Sequence, residues 1–197
     1  CPYECVYCTY GRSEGTSYRL CPPENVVAAV AECQRRGIRD VEFVDNVFNS
    51  PVDHAQAVCE RLAAAALPTR LHTVELNPKY ITEALIRAMV RAGFVGAGIT
   101  VESASDRVLA GLGKNYTAAD GQHAAETLSR SSLPALWIFL LGGPGETTAT
   151  VRETLRFAER GLRPTDAVFI NVGVRIYPGT RLHALAAEEG VCSRDPD

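Results

Sequence analysis

Leu136-Trp-Ile-Phe-Leu-Leu141 runs directly into Gly142-Gly-Pro-Gly-Glu146, after which Val151, Leu155, Ala158 and Leu162 recur at helical spacing. Six consecutive apolar residues fit a strand covered on both faces. The Gly-Pro stretch ends that strand, and the later apolar stripe predicts an amphipathic helix. Strand, glycine turn and helix together make one βα unit of a parallel sheet.

The same unit recurs in both directions along the chain. Upstream, Val95 to Val101 reads as a strand ending in Glu102-Ser103. Thr117-Ala-Ala-Asp120 then opens a helix in the manner of a capping box, with Ala124, Ala125 and Leu128 inward. Before these, Arg70 to Leu76 is a strand ending at Asn77-Pro78, followed by a helix carrying Ile81, Leu85, Ala88 and Ala92 and stopped by Gly93. Val41 to Val44 closes on Asp45-Asn46 and precedes a helix with Ala55, Val58, Cys59 and Leu62 inward. The first helix, with Val26, Val30 and Cys33 on one face, follows a loop from Gly11 to Pro23. Downstream, Val168 to Ile176 is the last strand, and Thr180 caps a final helix through Leu182 and Leu185 to Gly190. Five strands alternating with six helices, without a linker or repeat, predict one α/β domain over residues 1–197. Polar or Gly-rich residues follow the strand ends: Asp45-Asn46, Glu75 with Asn77, Glu102-Ser103, Gly142 to Glu146, and Arg175 with Tyr177. In parallel α/β folds that is the ligand-binding face.

Composition narrows the function classes. The 197 residues are 46% hydrophobic and 22% charged, which suits a packed core and excludes disorder. The densest apolar run, Leu136 to Leu141, is six residues, far short of the ~18 that suggest a membrane span. With 20 Lys+Arg against 23 Asp+Glu there is no basic footprint for nucleic acid. Seven cysteines without the spacing of a small secreted framework point to a reducing cytoplasm. Cys33 and Cys59 lie on apolar helix stripes and read as small core residues.

Three of the seven cluster as Cys1-Pro-Tyr-Glu-Cys5-Val-Tyr-Cys8, a C-x3-C-x2-C motif with an aromatic before the third cysteine. Three thiolates on one short loop can wrap a soft metal centre, and iron–sulfur clusters are held by such ligands. Three ligands on a four-iron cluster leave one iron open to a reactant. The alternative is a non-catalytic module in which zinc organises the loop, which needs a fourth ligand such as Cys21. A disulfide would strand one thiol.

On these residues the chain resembles the radical S-adenosylmethionine (SAM) enzymes, whose signature is C-x3-C-x-aromatic-C. The resemblance implies a [4Fe-4S] cluster on Cys1, Cys5 and Cys8, with SAM chelating the fourth iron. One electron would then cleave SAM to methionine and a 5′-deoxyadenosyl radical that abstracts hydrogen from substrate. It implies a partial (β/α)6 barrel of the TIM type, its first strand lying before Cys1 and so missing here. The chain, which starts inside the motif, reads as a segment of a longer protein. Asp45-Asn46 matches the position that contacts the SAM amino group, where Gly-Gly-Glu is usual. Glu102-Ser103 resembles the Glu-Ser at the SAM ribose, with Ala104 replacing the usual Gly. Gly142 and Gly143 open a stretch that lies near adenine in the family, as does the backbone of Tyr7. A degenerate barrel that binds without turnover is the reading that the altered Asp45-Asn46 site leaves open.

A narrower resemblance rests on Phe43-Val-Asp-Asn-Val-Phe48, Gly142 to Thr147 and Arg175-Ile-Tyr-Pro-Gly-Thr180. These look like the radical SAM enzymes that carry a cobalamin-binding domain, among them methyltransferases. The implied cobalamin domain would lie upstream of Cys1. The implied partners are a small-molecule or biosynthetic-intermediate substrate and an electron donor such as flavodoxin or ferredoxin.

Overall fold

The computed structural model describes residues 1–193. Five parallel strands form one sheet in the order of the chain: β1 (Asp40–Phe43), β2 (Arg70–Leu76), β3 (Phe94–Glu102), β4 (Ala135–Leu141) and β5 (Ala167–Val172). Consecutive neighbours joined by helical crossovers are the topology of a partial (β/α) barrel. The principal helices are α2 (Pro23–Arg35), α3 (Val52–Ala65), α4 (Glu83–Ala92), α6 (Ala118–Ser129), α7 (Thr148–Arg160) and α8 (Arg181–Glu188). Two short helices join them: α1 (Tyr10–Ser13) directly after the third cysteine, and α5 (Asp106–Gly111) after β3.

Capping residues set the helix starts as the sequence implies. Thr117 accepts from Asp120 N while Asp120 accepts from Thr117 N, a complete capping box. Thr180 accepts from His183 N. The helix after β2 begins only at Glu83, because Pro78–Tyr80 forms a 3-10 turn and Thr82 is the cap. Ile81 is buried in that turn.

Alternate residues of β3 and β4 face the helices and fill the core, with Ile99, Trp137 and Phe139 fully buried. Phe157 of α7 meets the rings of Trp137 and Phe139 edge-on at 6.2 and 6.0 Å. Phe43, Phe48 and Phe94 form a second aromatic group, with centroids 5.1 to 5.6 Å apart.

Two expectations fail here. Leu155 of α7 is exposed while Ala158 and Leu162 pack on the core as expected, and Phe157 and the fully buried Thr154 take the inward place that Leu155 does not fill. Rings above the sheet, and the hydrogen bond that Thr154 accepts from Ala104 N just beyond β3, outweigh the burial of one leucine. The last strand ends at Val172 rather than Ile176, because Gly173 takes φ +95. All six residues of β5 are exposed, and this strand pairs only with β4 among the described residues.

Candidate active site

The cysteine loop lies over the C-terminal ends of the strands and is held there by one buried residue. Val6 donates its N–H to Leu112 O (3.0 Å) and accepts from Leu182 N (2.9 Å). Its side chain is buried. Leu112 is followed by Gly113 at φ +69, where a Cβ would come within 2.9 Å of Glu4 O. A glycine is therefore required for the loop to seat so closely. With Val6 fixed inward, its neighbours Cys5 and Tyr7 line a cavity of about 160 Å³. Cys1 and Cys8 share that lining with Asn46, Glu75, Thr100, Glu102, Lys114 and Tyr116. Cys8 turns back on Cys5 through its N–H (3.1 Å), and its sulfur accepts from Tyr10 N at 3.5 Å.

A buried polar relay backs the thiols. Tyr7 donates its hydroxyl to Glu102 Oε1 (2.5 Å), and Lys114 Nζ donates to both Tyr7 Oη (2.6 Å) and Glu102 Oε1 (2.8 Å). The side chains of Lys114 and Glu102 are only 7% and 5% exposed, so each charge depends on the other. Glu102 also sits at φ +63, a left-handed conformation that non-glycine residues adopt at a cost of order 1–3 kcal/mol. A strained, buried carboxylate at a strand end is the mark of a working position.

The surrounding groups respond to this setting. Burial pushes the Tyr7 and Tyr116 phenols well up. Burial works against the Lys114 ammonium, yet the touching Glu102 carboxylate opposes that and the lysine stays protonated. Burial also raises the Cys5 thiol, with the charge of Lys114 pulling the other way. Glu75 accepts from Thr100 Oγ1 (2.7 Å), and burial lifts its carboxyl above the ordinary range.

Not all of the residues picked out in the sequence converge. Cys1, Cys5, Cys8, Tyr7, Asn46 and Glu102 line one cavity. Asp45 lines an adjoining one with Cys1, Tyr3 and Asn46, whose Nδ2 donates to Glu14 Oε2 (2.6 Å). Ser103 is fully buried and turned away: its hydroxyl pairs with Thr154 Oγ1 (3.1 Å) and accepts from Ser105 N (3.1 Å). Gly142 and Gly143 line a separate crevice against α8. Arg175 donates to Tyr177 Oη (3.3 Å) on the surface.

Lys114 is the residue that motif reading misses, because it follows α5 rather than a strand. A compositional trace of it exists. Only two of the 20 basic residues are lysines, Lys79 and Lys114, and the amine of Lys79 reaches the neighbouring Asn115 O at 3.1 Å.

The donor set fits a multi-iron cluster better than a single ion. All seven cysteines are free thiols. Cys21, the fourth ligand a tetrahedral zinc would take, is exposed and does not line the cavity with Cys1, Cys5 and Cys8. Three soft donors on one cavity wall, with a cation behind them, suit a larger anionic centre that has an iron left over.

Comparison with known proteins agrees. An uncharacterized methyltransferase of Pyrococcus horikoshii is 29% identical over 184 residues, 92% of this chain and 39% of that protein. A tRNA-2-methylthio-N(6)-dimethylallyladenosine synthase of Bordetella avium is 27% identical over 172 residues, 79% of this chain and 35% of its own. The radical S-adenosylmethionine methyltransferase TsrM from Kitasatospora setae, solved with cobalamin and a [4Fe-4S] cluster, superposes with a TM-score of 0.86 at 23% identity. That match covers 96% of this chain and 38% of TsrM. The chain thus spans under two fifths of each of these proteins. The family model of the radical SAM superfamily matches residues 1–158, and the chain belongs to that superfamily.

Proposed function

We propose that this chain is the SAM-cleaving core of a radical SAM enzyme, and that the whole protein transfers a methyl group to a small molecule. The observation that carries the reading is the convergence of Cys1, Cys5 and Cys8 with Tyr7, Glu102 and Lys114 on one cavity at the strand ends. Cys1, Cys5 and Cys8 hold the iron–sulfur cluster, which when bound supplies the electron that breaks a C–S bond of SAM. Asn46 faces the SAM amino group, with Asp45 beside it. Glu102 orients a ribose hydroxyl through Oε2, because Oε1 is taken by Tyr7 and Lys114. Ser103 supports Glu102 from behind through Thr154. Gly142, Gly143 and the backbone of Tyr7 border the adenine.

Methyl transfer is supported by the name of the Pyrococcus relative, and cobalamin by the TsrM structure. The cobalamin is held by a part of the protein outside this chain. A flavodoxin- or ferredoxin-type donor supplies the electron. Free thiols suit a reducing cytoplasm, and no helix among the described residues is long and apolar enough to cross a membrane.

The test is anaerobic reconstitution of the complete protein with iron and sulfide, then reduction in the presence of SAM. The expected results are iron–sulfur absorption near ~410 nm and products of SAM cleavage, both abolished in Cys5→Ala. Zinc at one per chain with no labile sulfide would overturn the reading.

A further inference from the structure

Lys114 is the one cationic side chain among the residues lining the cysteine cavity, which also carries the carboxylates of Glu75 and Glu102. An ammonium with only 7% of its side chain exposed is costly to keep, and Glu102 alone could offset it. Yet the amine is not confined to that pair. It also donates to the Tyr7 hydroxyl, and sits 5.0 Å from the Tyr7 ring and 5.8 Å from that of Tyr116. Tyr7 lies between two cysteines of the motif, so the positive charge is fixed against the ligand loop itself.

We propose that Lys114 is a positioning residue whose charge sets the reduction potential of the centre held by Cys1, Cys5 and Cys8. This rests on the functional reading above. Three thiolates and a neighbouring carboxylate make the site electron-rich, so a further electron enters against repulsion. A fixed ammonium in a low-dielectric pocket lowers that cost, and Glu102 raises it. In the step concerned one electron arrives from an external one-electron reductant and stays on the centre, and no bond is made or broken. Opposite signs on two touching side chains give the proposal its test, because a structural role has no sign.

The complete protein, reconstituted anaerobically and free of SAM, is titrated with dithionite and redox mediators while the reduced cluster is followed by electron paramagnetic resonance. Lys114→Met is expected to lower the equilibrium constant for reduction at least tenfold, about 59 mV to the negative side for one electron. Glu102→Gln is expected to move the midpoint the other way. Lys114→Arg, which keeps the charge, is expected to stay within threefold of wild type. Iron content and melting temperature are measured on the same samples. Midpoints that do not move, or that move in the same direction in Lys114→Met and Glu102→Gln, overturn the proposal in favour of a structural lock. If Lys114→Met retains no cluster, the positive shift in Glu102→Gln and the near-wild-type midpoint of Lys114→Arg decide the matter. If neither Lys114→Met nor Glu102→Gln retains a cluster that the wild type takes up, the role is structural. A wild-type protein that takes up no cluster fails earlier and sinks the functional reading itself.

Discussion

Two shielded ion pairs stand at opposite ends of the sheet, and they are built differently. At the N-terminal ends of β4 and β5, Arg163 binds Asp166 through Nε and NH2 and spends its other donors on backbone: Leu128 O (2.9 Å), Ser131 O (2.8 Å) and Leu133 O (2.7 Å). Asp166 in turn accepts from Ala135 N and from Trp137 Nε1. Every valence ends on the fold. At the C-terminal ends, Lys114 and Glu102 meet each other and Tyr7, and their remaining capacity faces a cavity. The planar fork of arginine suits the closed arrangement, and the compact ammonium of lysine suits the open one. In barrels of this kind the first end reads as stability and the second as function.

The comparison is sharpest where one pair is broken and the other left intact. Arg163→Met should be the larger lesion, leaving three carbonyls without their donor and the Asp166 carboxylate without its counter-charge. We expect a loss of about 3–5 kcal/mol, seen as a fall in melting temperature of roughly 10 °C. Cluster uptake in the cold should be unchanged. Lys114→Met should cost less, about 1–2 kcal/mol, because Glu102 keeps the Tyr7 hydroxyl and borders the cavity. Denaturant titration of the two variants checks this order. Equal losses, or a cluster lost in Arg163→Met at low temperature, would break the division between the two ends.

Thr154→Val probes a link between scaffold and site. Thr154 is fully buried, and its hydroxyl pairs with Ser103 and accepts from Ala104 N (3.1 Å). Removing it leaves the Ala104 N–H unpaired and takes one of two partners from the Ser103 hydroxyl, at about 1–3 kcal/mol. Ser103→Ala should cost about 1 kcal/mol and leave SAM affinity, measured by equilibrium dialysis, within twofold. A tenfold loss of affinity in Ser103→Ala would return that serine to the ligand.

These cases also mark what could be read from the sequence. The strand and helix alternation was legible because apolar period and capping residues are local signals, and Thr117-Ala-Ala-Asp120 forms the cap its spacing announces. The cysteine loop was legible because three thiols in eight residues have few other uses. Ser103 beside Glu102 looked like its twin, but adjacent residues leaving a strand point in opposite directions, and only the tertiary packing of Thr154 shows which way. Leu155 failed for the same reason, since the α7 face is chosen by rings on the sheet. Lys114 lies twelve positions from Glu102, brought back by α5, and no local pattern encodes that return.

The smallest expected effect concerns Glu75, the second carboxylate on the cavity. Burial, and then the charge of Glu102, lift its carboxyl above the ordinary 4.5, while Thr100 and Lys114 oppose the shift. The folded chain therefore binds this proton more tightly than the unfolded chain. Stability contributed by the protonated form is lost as pH rises from about 4.5 through the raised folded value. Glu75→Gln keeps an acceptor for Thr100 and removes the penalty. It should melt higher than wild type at pH 7 to 8, by under about 1 kcal/mol, and match it below about pH 4, where both carboxyl states are protonated. In a Lys114→Met background the benefit should grow, since the opposing charge is gone. In an Arg163→Met background it should not change, because that pair sits at the other end of the sheet and distant sites add independently. Melting curves across pH for the three pairs decide whether Glu75 shares its electrostatics with Lys114 and not with Arg163.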